Sequence, residues 1–105
     1  MSKSKRKATA PAIAPPAHLN DAAKKKWAEI IPIIGNRADA DQGVLDCAAA
    51  YCVAWAAWTD AQNKVNELGP VVKGLSGVAQ VNPYVTIAEK ALRQMRQFAA
   101  ELRRR

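Results

Sequence analysis

The side chains of this chain best suited to chemistry are its cations, and they fall into separate groups. Lys3, Lys5, Arg6 and Lys7 crowd the start, Lys24, Lys25 and Lys26 are consecutive, and Arg103, Arg104 and Arg105 follow Leu102. Lysines and arginines clustered in this way neutralise phosphates without reading sequence, and such binding weakens steeply as salt rises. The formal net charge is +7, with both ends basic and the middle of the chain mildly acidic. That asymmetry points to contact with a polyanion rather than to general solubility. No residue stands out as a reader of base edges. A membrane role for the basic start is disfavoured, because no large apolar residues are interleaved with its lysines.

Catalytic chemistry has little to work with. His18 is the single histidine and lies in a proline-rich lead-in, where a capping or packing role is expected. Asp39 and Asp41 fall in a polar connection, and Asp46, Asp60 and Glu67 along a helix surface, so no carboxylate pair shares an apolar pocket. No nucleophile is paired with a base, and Gly74 and Gly77 are too sparse for a phosphate-cradling loop. Cys47 and Cys52 are five residues apart, about 140° around a helix, so they neither bridge within it nor approach zinc-ligand spacing. They read as small buried hydrophobes of a reducing compartment. Trp27, Trp55 and Trp58 are at helical spacing on apolar stripes and read as core. No enzyme activity, cofactor or metal is expected. The basic, proline-rich start lacks the apolar core of a signal peptide, and the uncharged run from Cys47 to Thr59 is too short to span a bilayer of ~30 Å. A soluble intracellular protein is expected.

The elements that would carry these groups are helical. Residues 1–17 read as a disordered basic arm and 18–105 as the helical oligomerisation and DNA-binding domain. Asn20 or Asp21 caps a first helix whose apolar face is Trp27, Ile30, Ile31 and Ile34. Pro32 is expected to bend or end it, and Gly35-Asn36 to stop it. Lys24, Lys25 and Lys26 crowd its N-terminal half, where cations oppose the helix dipole, and a bound phosphate would compensate. Asp39 or Asp41 caps a long helix that runs to about Leu68 and stops at Gly69-Pro70. Val44, Ala48, Tyr51, Trp55, Trp58, Gln62 and Val65 form one seam on it. Leu45, Ala49, Cys52, Ala56 and Thr59 form a second stripe, expected to be the oligomer interface of a chain too short for a large core, the alternative being a central helix buried on all sides within one subunit.

Two short valine-rich runs around Gly74-Leu75-Ser76-Gly77 predict a small β-hairpin or ordered loop. Asn82 caps the last helix with Pro83 at its first position. From there Tyr84, Ala88, Ala91, Met95, Phe98 and Leu102 step by fours and threes along a packing seam. The expected fold is all-α: a short N-terminal helix plus an antiparallel pair of long helices joined by the hairpin or loop, in a chain that self-associates.

One order of residues is distinctive. Pro15-Pro16-x-His18-Leu19, Trp27, Asp41, Leu45, Tyr51-Cys52, Trp58, Leu68-Gly69, Val71-Val72, Gln80-x-Asn82-Pro83, Ala88, Met95 and Leu102 follow one another at set separations. This pattern resembles the small terminase subunit of tailed bacteriophages, in the compact all-helical family of long-tailed phages. The resemblance implies a non-enzymatic ring in the host cell cytoplasm. Such a ring binds double-stranded viral DNA at the packaging-start region and delivers it to the large terminase subunit, which carries the ATPase and nuclease. It also implies that Asn82-Pro83, Tyr51 and Trp58 are structural. DNA contact then falls to the arm, the first helix and the arginine-rich end: Lys3, Lys5, Arg6, Lys7, Lys24, Lys25, Lys26, Arg103, Arg104 and Arg105. The alternative is a protein–protein adaptor with solubilising basic tails.

Overall fold

A computed structural model describes residues 13–104, in which three helices and one hairpin follow one another in the order α1 (Asp21–Ile34), α2 (Gln42–Leu68), β1 (Val71–Lys73), β2 (Ala79–Val81) and α3 (Pro83–Arg104). The body measures 61 × 32 × 20 Å. Its length is that of a two-helix rod, since 27 residues of α-helix at ~1.5 Å each already reach about 40 Å.

Local chemistry explains the boundaries. The Asn20 side chain accepts a hydrogen bond from the Ala23 amide at 2.9 Å and opens α1. Asp41 does the same for α2 through the Val44 amide, also at 2.9 Å. Of the alternative caps read from the sequence, these are the ones used. Gly69, at φ 84°, closes α2 in a backbone conformation that side-chain-bearing residues avoid.

Pro32 does not end α1. The helix runs on to Ile34, and the turn beyond the proline is held by Gly35 N–H donating to the Ile31 carbonyl at 2.7 Å. The Asn36 amide closes on the Pro32 carbonyl at 2.7 Å. Stopping the helix so soon after Pro32 leaves it near the end, where one missing intrahelical bond costs least.

The core lies where α1 crosses α2. Leu19, Ala23, Trp27 and Ile31 pack in one buried cluster with Val44, Ala48, Ala49, Cys52, Ala56 and Leu102. Helices α2 and α3 run antiparallel. At one end the Cys47 thiol faces the Phe98 carbonyl at 3.7 Å, and at the other the Lys64 ammonium lies 4.7 Å from the centre of the Tyr84 ring. Ala54 and Ala61 on α2 and Ala88 and Ala91 on α3 are buried as well. Alanine at such positions lets two helix backbones approach closely.

The stripe read as an oligomer interface is placed differently. Ala49, Cys52 and Ala56 are buried inside the subunit, and Leu45 and Thr59 are half-buried. Helix α1 covers the stripe with Trp27 and Ile31, so this face is intrasubunit core. Composition implied too little apolar surface for that, because it takes no account of how much one tryptophan and one isoleucine cover when the facing residues are mostly alanines.

Candidate nucleic-acid interface

Helix α3 carries cations on the face away from its packing seam. At ~100° per residue, Arg93, Arg96, Arg103 and Arg104 fall within about 100° of one another, opposite Tyr84, Ala88, Ala91, Met95, Phe98 and Leu102. All four arginines are exposed, whereas the seam residues are buried or half-buried. Arg104 donates to the Glu101 carboxylate at 2.8 Å, and no ion pair engages Arg93, Arg96 or Arg103 among the described residues. The strip from Arg93 to Arg104 is about 16 Å long, on the scale of a few phosphate spacings of duplex DNA.

The C-terminal end of this strip is locked to the α1–α2 connection by Arg37. Its guanidinium donates to the Leu102 carbonyl at 2.6 Å and to both Asp39 carboxylate oxygens at 2.9 and 2.7 Å. A cation on a C-terminal carbonyl also complements the helix dipole. Two residues before Arg37, Gly35 lies against Ile13. A Cβ on Gly35 would come within 2.9 Å of both the Ile13 side chain and the Ile31 carbonyl oxygen, so the close approach requires glycine. The Trp27 indole N–H donates to the Ile13 carbonyl at 2.9 Å and fixes the incoming chain.

The path from Ile13 through Gly35 and Arg37 to Leu102 therefore brings both ends of the described chain to the same end of the molecule. Lys3, Lys5, Arg6 and Lys7 lie outside the described residues, as does Arg105, but the chain that carries them joins the body here. Ile13 itself packs against the core, so the body starts earlier than residue 18.

The lysine triplet is not part of this grouping, since it lies at the N-terminal half of α1, about 15 Å of helix away from Gly35. Lys24 and Lys25 are exposed. Lys26 is half-buried, pairs with Glu29 at 3.2 Å, and lies 4.8 Å from the centre of the Trp55 ring. Its charge is already engaged by a carboxylate and an aromatic face. At the hairpin end, the hydrogen bond that Lys64 donates to the Asp60 carboxylate raises the Lys64 pKa, and Tyr84 adds to the effect.

Arg37, Arg93 and Arg96 lie outside the three cationic clusters of the sequence. For Arg93, Arg96 and Arg103 a signal exists, in spacings of three and seven on the side opposite the apolar seam. Arg37 carries no such signal, because its partner carbonyl is remote in sequence.

Among the described residues no group of three or more His, Cys, Asp or Glu side chains is placed to hold a metal ion. Burial pushes the Cys52 thiol up to about 11, with Lys26 acting weakly in the opposite sense. Among the same residues no helix is long and apolar enough to cross a membrane.

A short helix laid across an antiparallel helical hairpin, with an arginine strip along its outer side, defines a small helical subunit. Residues 23–103 match the family model described as phage terminase, small subunit, and the chain belongs to that family. Small terminase subunits take part in phage DNA packaging and are generally regulatory rather than catalytic. No curated protein and no solved structure matches the chain.

Proposed function

We propose that this subunit binds double-stranded viral DNA at the packaging-start region and presents it to the large terminase subunit in the host cytoplasm, acting as a homo-oligomeric ring. The observation that carries the DNA assignment is the arginine strip of α3, anchored beside the point where the basic N-terminal chain joins the body. Arg93, Arg96, Arg103 and Arg104 contact phosphates from the helix, while Arg105 and the N-terminal Lys3, Lys5, Arg6 and Lys7 add further cations. Lys24 and Lys25 supply a second, separate contact. Lys26 contributes least, because Glu29 and Trp55 already engage it.

Fluorescence anisotropy of a labelled duplex, titrated at several salt concentrations, tests this reading. Replacing Arg93, Arg96 and Arg103 with glutamine should weaken binding and flatten the salt dependence by about one unit of log–log slope per lost phosphate contact. Wild-type protein with no duplex binding at low salt would reject the DNA role and favour the adaptor.

A further inference from the structure

We propose that the β1–β2 hairpin is an assembly surface that takes the hairpin of a second copy of this chain by pairing strand edges. The register joins Val71 to Val81, Val72 to Gln80 and Lys73 to Ala79. Bonds from Asn82 N–H to the Pro70 carbonyl and from Gly74 N–H to the Val78 carbonyl, each 2.8 Å, make Val72 and Gln80 the inward-bonded pair between them. In an antiparallel ladder the backbone groups of the alternate residues, Val71, Lys73, Ala79 and Val81, then point outward. No described residue pairs with them, so both edges of the hairpin are open. An isolated two-stranded unit with three-residue strands is marginal in water, and an open edge is a template for another strand.

The side chains agree with the backbone. The hairpin adds nothing to the buried core, and Leu75, Val78 and Val81 stand in solvent with Leu75 wholly exposed. Charge favours a like copy over a polyanion. Around the hairpin, Lys64, Lys73 and Lys90 balance Asp60, Glu67 and Glu89, so this end is neutral while the subunit as a whole carries +7. Two like copies meet here without net repulsion, whereas a polyanion finds no field to attract it. The inference rests on the oligomeric reading above and not on DNA contact.

The test measures mass by light scattering at high protein concentration for wild type, the double variant Val78→Lys/Val81→Lys, and Ile33→Lys, an equally exposed control on α1. The expected result is an assembled wild type and Ile33→Lys, at least tenfold weaker association in the double variant, and unchanged helical circular dichroism throughout. Backbone amide exchange in the wild-type assembly should show Lys73 and Ala79 protected. A monomeric wild type would overturn the oligomeric reading itself. An assembled wild type with freely exchanging edge amides, or an assembly indifferent to the double variant, would overturn the hairpin alone and leave it to a different partner.

Discussion

The Asn82 side-chain amide donates to the Gly69 carbonyl at 2.9 Å, joining the end of α2 to the start of α3 across the hairpin. The same side chain accepts from the Tyr84 amide at 3.0 Å, while its backbone N–H donates to the Pro70 carbonyl at 2.8 Å. Asn82 is the one buried polar residue among those described, at 1% exposure, and its side-chain oxygen and nitrogen are both used. It is the joint that turns two helices into an antiparallel pair.

Replacing Asn82 with alanine removes the cap and strands a carbonyl, at a cost of about 2–3 kcal/mol. Asn82→Asp keeps the acceptor but sets a carboxylate against the Gly69 carbonyl. It should be destabilised at pH 7 and recover in part as acid protonates the carboxylate into a donor. Chemical denaturation at both pH values measures this. Equal stability of Asn82→Ala and wild type would remove the joint from the account.

Arg37→Lys should cost about 1–2 kcal/mol, because an ammonium cannot make the forked contact to Asp39 while also reaching the Leu102 carbonyl. The loss should concentrate in the last turn of α3. Amide exchange from Ala99 to Arg104 would rise while the middle of α2 stays protected. A uniform rise across all helices would contradict a local tie.

The three consecutive lysines should separate by role. Lys24→Gln and Lys25→Gln, both at exposed sites, should leave stability within about 0.5 kcal/mol of wild type and each lower the salt slope of DNA binding. Lys26→Gln should do the reverse. Losing its contacts with Glu29 and the Trp55 face costs about 0.5–1 kcal/mol and barely moves the slope. Thermal melts beside binding isotherms distinguish the two patterns, and equal behaviour of all three lysines would refute the division.

Cys52 should resist alkylation. With its thiol near 11, only about one molecule in a thousand carries the thiolate at pH 8, and the site is closed to solvent. Mass spectrometry after iodoacetamide treatment should find Cys52 unmodified in the fold and modified in denaturant. The raised value also makes a stability prediction. Folding favours the protonated thiol, so its contribution is complete below the ordinary value of 9.0 and is lost as pH rises through about 11. Stability of wild type should therefore fall more steeply between those values than stability of Cys52→Ala. Parallel curves would place the thiol outside the linkage.

The elements, their caps and the antiparallel order of the long helices were legible in the sequence. Asn20, Asp41, Gly69, Asn82 and Pro83 act on their own few neighbours, and a seam stepping by fours and threes marks the same face wherever the helix is put. The family was legible as well, from the order of residues between Pro15 and Leu102. Tertiary packing decided what those faces meet. Nothing local says that α1 lies over Ala49, Cys52 and Ala56 and turns an expected interface into core. Nothing local says that Arg37 reaches a carbonyl in α3, or that Lys26 is occupied while Lys24 and Lys25 are not. These depend on which residues distant in sequence become neighbours in space. Periodicity fixes the direction of a side chain about its own helix axis, and only the packing of one helix on another supplies the partner.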